Sequence, residues 1–152
     1  MVGTSLQPID RFYMTGMESV IDDIGTVKVE ATENNIDRDG WRAMDGHRTD
    51  TEMHRTGWYT TSLPANWVLE FPENTNFTVK SLKFYNTSVE EGNYSKNVKV
   101  WVNNETNVVG QFMAEPSDNG LTNYVIQTPQ AGTIFGLTVE DSYSDGNSGG
   151  AQ

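Results

Sequence analysis

The chain has 152 residues, the length of one domain, and a formal net charge of -11 from 21 acidic and 10 basic side chains. Its overall field repels phosphate backbones and anionic lipid surfaces, which argues against nucleic acid as a partner. There is no Cys, so disulfides and thiolate zinc sites are excluded, and no window approaches the roughly 18 apolar residues of a membrane span.

The hydrophobic fraction is 36% with 14 Gly, a composition that favours short strands joined by turns over a helical bundle. Met1 to Gln7 lacks a basic region followed by an apolar run, the pattern of a signal peptide. The chain is then either kept in the cytoplasm or exported by another route, as part of a virus particle or as a piece of a longer secreted protein. The expectation taken forward is an extracellular or virion-surface location.

An N-terminal arm is expected over residues 1–24. From Asp10 to Ile24, Met14, Met17, Ile21 and Ile24 are spaced three, four and three apart, which predicts one face of a short helix. Gly16 weakens that helix, and an irregular arm or an oligomerisation segment fits the same residues. After Gly25 the period changes to two: Val27, Val29 and Ala31 alternate with Lys28 and Glu30, as in a half-buried strand. This opens the domain expected over residues 25–152.

Asn35-Ile36-Asp37-Arg38-Asp39-Gly40 imitates the start of a calcium-binding helix-loop-helix. Gly46 stands where that motif needs Glu, so an ordinary polar loop is predicted. Trp58 and Trp67 fall on strand phase and are predicted core aromatics. Trp67, Leu69 and Phe71 share a face of one strand, and Val98, Val100 and Val102 share a face of another. Phe77 and Val79 are out of phase with Leu82 and Phe84, which predicts a bulge or bend near Lys80-Ser81.

Further strands are predicted at Val108–Met113, Asn123–Gln127 and Thr133–Val139. Turns are predicted at Glu91-Gly92-Asn93, Asn103-Asn104-Glu105, Asp118-Asn119-Gly120 and Gln130-Ala131-Gly132. Ser142 to Gln152 reads as a loop, so the chain stops where one more strand is expected. Roughly seven or eight strands at this spacing predict an all-β sandwich. Sequons at Asn76, Asn86, Asn93 and Asn104 carry little weight, because a chain rich in Asn and Thr produces them by chance.

Ala43-Met44-Asp45-Gly46, then Thr56-Gly57-Trp58, then Trp67-Val68-Leu69 follow in an order that resembles the discoidin-type galactose-binding domains. That group includes the coagulation-factor type C domains and the family-32 carbohydrate-binding modules. The resemblance covers about residues 26 to 152 and implies a jelly-roll β-sandwich of about eight antiparallel strands with its ligand held by loops at one end. It also implies a structural Ca2+ as cofactor, with side-chain oxygens from Asp45 and Thr56 and carbonyls near Met44 to His47 and Gln152. Asp45-Gly46 is equally a competent turn with no ion. Two departures stand out: the loop from His47 to Arg55 is longer than the family's spacing, and the family's closing strand is not found here, unless the sequence is a segment of a longer polypeptide or another chain completes the sheet.

Sugar recognition needs flat apolar faces and directional donors and acceptors. Trp41, Arg48, His54, Arg55, Tyr59, Tyr85, Asn86 and Tyr143 are the candidate set. The chain has only two His and none of the common catalytic motifs, although 21 acidic residues leave a paired-carboxylate arrangement open by motif alone. The function expected is non-enzymatic glycan binding for adhesion to cell-surface sugars. The alternative is a structural or host-attachment component of a virus particle, such as a bacteriophage tail or capsid accessory protein, docking on other structural proteins or on copies of itself.

Overall fold

The computed structural model describes residues 12–32, 40–44, 58–60, 62–86, 94–117, 120–144 and 149–151. Its strands are β1 (Glu18–Ile21), β2 (Gly25–Ala31), β3 (Trp58–Thr60), β4 (Ala65–Glu70), β5 (Phe77–Thr78), β6 (Ser81–Tyr85), β7 (Asn97–Val102), β8 (Val108–Met113), β9 (Leu121–Val125), β10 (Ala131–Gly132), β11 (Ile134–Val139) and β12 (Gly149–Ala151). A 3-10 helix at Gly40–Met44 is the sole helix among the described residues. All described pairings are antiparallel.

Six strands form one sheet in the order β1-β2-β4-β11-β7-β8, and the pairs β6-β9, β5-β10 and β3-β12 complete the fold. The pleat puts alternate side chains on one face, and here that face is Val27 and Val29 of β2, Ala65, Trp67 and Leu69 of β4, Phe135 and Val139 of β11, and Val98, Val100 and Val102 of β7. Phe112 of β8 meets Phe84 of β6 edge-on at 5.4 Å and stacks on Tyr124 of β9 at 5.1 Å. Phe71, just past β4, stacks on Phe77 of β5 at 4.4 Å. These contacts lock the second layer onto the large sheet, giving the predicted all-β sandwich. Trp58 and Trp67 are core aromatics as expected, 1% and 7% exposed.

The expected helix over Asp10 to Ile24 is absent from its described part, residues 12–24. Met14 is buried, Met17 and Val20 are exposed, and Glu18–Ile21 pairs with β2 as an edge strand. The three-four-three spacing is therefore not one apolar face. Asp23 and Gly25 take φ values of 66° and 109°, which reverse the chain into a hairpin and are incompatible with a helix.

Ser142 to Gln152 is likewise not all loop, since Ser142 bridges to Ser95 and β12 pairs with β3. Composition missed both because these contacts are made by backbone groups. The bend near Lys80-Ser81 is present: β5 pairs with β10, β6 pairs with β9, and the chain changes partner between them. Val108–Met113 is a strand as predicted, and the strand expected at Asn123–Gln127 runs two residues earlier.

On the outer face of the large sheet, Gly136 of β11 lies opposite Trp101 of β7. The Trp101 indole occupies the space a side chain at position 136 would need, and its Nε1 donates to Thr138 Oγ1 at 3.0 Å. Thr138 in turn donates to Asn66 Oδ1. We expect Gly136→Ala to displace the indole and cost about 1–3 kcal/mol through overpacking. Urea unfolding checks this, and an unchanged midpoint would mean that the ring has room to move.

Candidate functional site

Strand pairing defines one end of the sandwich, called here the rim. Ala31↔Trp67, Ala65↔Val139, Val98↔Val139 and Asn97↔Met113 set the ends of β2, β4, β11, β7 and β8 level. The hydrogen bonds that continue the ladder beyond them are Thr32 N–H to Asn66 O, Glu140 N–H to Asn97 O and Ala114 N–H to Lys96 O. In the second layer Tyr85↔Leu121 closes the same end.

Trp41 sits on one flank of this rim, in the 3-10 helix. The helix is pinned by Trp67 Nε1, which donates to Gly40 O at 2.7 Å, and by Met14 N–H, which donates to Met44 O at 2.7 Å. Trp41 is half-buried and packs against the core. The Arg42 guanidinium lies 4.7 Å above its ring, a cation-π contact that fixes the indole.

Tyr85, Asn86 and Tyr143 occupy the opposite flank. Tyr85 alternates outward from the buried Phe84 and lies across from Leu121, which is 41% exposed. Tyr143 is exposed, its hydroxyl donates to Ala114 O at 2.7 Å, and its N–H donates to Tyr94 O at 3.0 Å. Lys96 Nζ sits 5.7 Å from its ring. Burial, then the carboxylates of Glu115 and Asp141, hold the Tyr143 phenol above its usual range.

Asn86 is different. It is fully buried, its Nδ2 donates to Ser95 O at 2.8 Å and to Glu115 O at 2.9 Å, and its Oδ1 accepts from Ser95 N–H at 3.1 Å. Its own N–H donates to Gly120 O. A ligand cannot reach an amide whose donors and acceptor are already engaged inside the fold, so Asn86 frames the rim rather than contacting a sugar.

Tyr59 has its backbone in β3, opposite Gly150. Arg48, His54, Arg55, Asp45 and Thr56 lie outside the described residues, as does the polar run Asn35 to Asp39. Asp45 directly follows the 3-10 helix and Thr56 stands two residues before β3, and those two elements pack against each other. A carboxylate and a hydroxyl suit a hard cation by donor chemistry. Among the described residues, no group of three or more His, Asp or Glu is placed to hold a metal, and no helix is long and apolar enough to cross a membrane.

The residues that sequence reasoning missed surround Tyr143. Lys96, Tyr94 and Asp141 come together only because Ser95 bridges to Ser142. Asp141 accepts from the Asn97 backbone N–H and from its side-chain amide at 2.9–3.0 Å. No local pattern announces a contact between segments this far apart in the chain.

Solved structures share this architecture. The family 32 module from Clostridium perfringens NanJ, in complex with galactose, superposes with a TM-score of 0.64 at 15% identity, covering 82% of this chain and 88% of that one. The chain has the fold of the family-32 carbohydrate-binding modules. The module CpGH89CBM32-5 from Clostridium perfringens, in complex with GalNAc-β-1,3-galactose, gives 0.62 at 17% identity over 82% and 90% of the two chains. The family-32 module of AlyQ, in complex with 4,5-unsaturated mannuronic acid, gives 0.62 at 15% identity over 90% and 94%. No protein-family model matches the sequence, and no curated protein matches it significantly.

Replacing Asn86 by Ala removes the buried amide that donates to the Ser95 and Glu115 carbonyls and accepts from the Ser95 N–H. We expect a loss of about 2–4 kcal/mol, read from thermal or urea unfolding.

Proposed function

We propose that this chain is a non-enzymatic glycan-binding module whose ligand lies on the rim. The observation that carries this reading is its fold, shared with modules whose structures hold sugars, combined with a rim that carries Trp41, Tyr85 and Tyr143. Aromatic faces at such a surface take the apolar side of a pyranose, and adjacent polar groups take its hydroxyls. In this reading Arg48, His54, Arg55 and Tyr59 supply further contacts from the connection between the 3-10 helix and β3. Asp45 and Thr56 hold a structural Ca2+ that pins that connection. One structure of the same fold is a module of a family 31 glycoside hydrolase, which fits a part that holds substrate near an enzyme or a surface without performing chemistry itself. An extracellular location, with adhesion to surface sugars, goes with this role.

A glycan array followed by calorimetry tests the proposal. Binding to at least one sugar is expected, and Tyr143→Ala should weaken it about tenfold, roughly 1.4 kcal/mol. Chelator should lower both affinity and melting temperature by stripping the cation. A chain that binds no sugar at millimolar ligand would contradict the glycan role.

A second reading, docking within a larger assembly such as a virus particle, draws on β1. This edge strand exposes Val20 to 81%, and Met17 just before it is exposed to 58%. An apolar open edge is a template for pairing with another strand. Light scattering separates the two. An oligomer that Val20→Lys dissolves supports docking through β1, and a monomer at every accessible concentration counts against it.

A further inference from the structure

We infer that the rim takes an extended oligosaccharide of about four units, gripped at two stations on opposite flanks, rather than one terminal sugar. This rests on the glycan reading and adds the length of the ligand.

The two stations are built alike, and from described residues. On one flank the Arg42 guanidinium lies 4.7 Å above the Trp41 ring, and on the other Lys96 Nζ lies 5.7 Å from the Tyr143 ring. A ring gives a sugar its apolar contact, and a cation set over it brings N–H donors for hydroxyls.

Neither station can move to the middle of the rim. The 3-10 helix that carries Trp41 and Arg42 is seated on the ends of β2 and β4: Ala31 of β2 fills the space beside Gly40, and Trp67 of β4 donates to Gly40 O. Tyr143 is held beyond β7 and β8, where its N–H donates to Tyr94 O and its hydroxyl to Ala114 O. Ala114 in turn donates its N–H to Lys96 O, which ties ring, lysine and the end of β8 together.

Strand order sets the gap between the stations. From β4 to β8 the sheet crosses β11 and β7. That is three strand spacings, and four from β2, or roughly 14–19 Å at about 4.8 Å each. A pyranose ring is about as wide as one spacing, so a single sugar reaches one station, and about four in a row reach both. Among the described residues, the strand ends between them, at Asn66, Glu140 and Asn97, carry no aromatic ring that could serve as a central platform. Modules of the same fold hold galactose in one structure and GalNAc-β-1,3-galactose in another, so the length follows from where this chain's own rings stand.

The experiment is calorimetry with mono- to hexasaccharide ladders of galactan, chitin, chitosan and alginate, and of any further glycan that gives a hit on the array. In the ladder that binds, affinity should climb about tenfold or more from the monosaccharide to the tetrasaccharide and level off beyond it. With the tetrasaccharide, Arg42→Ala and Tyr143→Ala should each weaken binding about tenfold; with the monosaccharide only one of them should act. If Arg42→Ala lowers the melting temperature as well, the length dependence of the unaltered chain decides alone. A monosaccharide that binds within about twofold of the tetrasaccharide, or one that both variants weaken equally, overturns the inference while leaving the glycan role intact. Binding to no member of any ladder and to no glycan on the array overturns the glycan role and this inference with it.

Discussion

Strand β11 is hydrogen-bonded along both edges, to β4 on one side and to β7 on the other. It is the late strand that ties the first half of the chain to the second, and the levels at which β4 and β7 end are set by its register. A slip of one residue would turn Phe135 and Val139 outward and carry Gly136 and Thr138 into the core. Register is therefore fixed by the apolar face it buries, and with no Cys in the chain this burial and the ladder are the means of closure. Every rim segment inherits its place from that alignment, because each leaves from or returns to a strand paired directly or indirectly with β11.

The fold was legible where one face of a strand is buried. Val27 and Val29, Trp67 and Leu69, and Val98, Val100 and Val102 announce their strands through period-two alternation, and all of them are core residues. The N-terminal segment misled because Met14, Met17, Ile21 and Ile24 happen to match helical spacing while their fates differ: Met14 is buried and Met17 exposed. A hairpin turn built on Asp23 and Gly25 decides the matter through backbone dihedrals that hydrophobic periodicity does not report. Strands of two or three residues, such as β5, β10 and β12, are too short to carry a period at all.

The candidate site was legible in part. The candidates chosen for aromatic and polar character include Trp41, Tyr85 and Tyr143, which the topology brings to one end. Asn86 was chosen for the same chemistry, yet its amide is turned inward to three backbone partners. Composition cannot distinguish an amide that serves a ligand from one that serves the fold, since both need the same donors and acceptor. Lys96 and Asp141 were invisible because their relation to Tyr143 is created by pairing between distant segments. The sheets decide which connections meet at this end, and the side chains that the proposed role draws on stand in or beside those connections.

The position of Asn86 also bears on how the protein can be made. Asn86-Thr87-Ser88 is an acceptor triplet, and the nitrogen that would receive an oligosaccharide is the one that donates to Ser95 and Glu115 in the interior. A host that attaches sugar to the nascent chain at this asparagine would block the folded state before it forms. Expression without that modification machinery leaves the sequence untouched. In a glycosylating host, Ser88→Ala abolishes the acceptor triplet while the Asn86 amide keeps its interior partners.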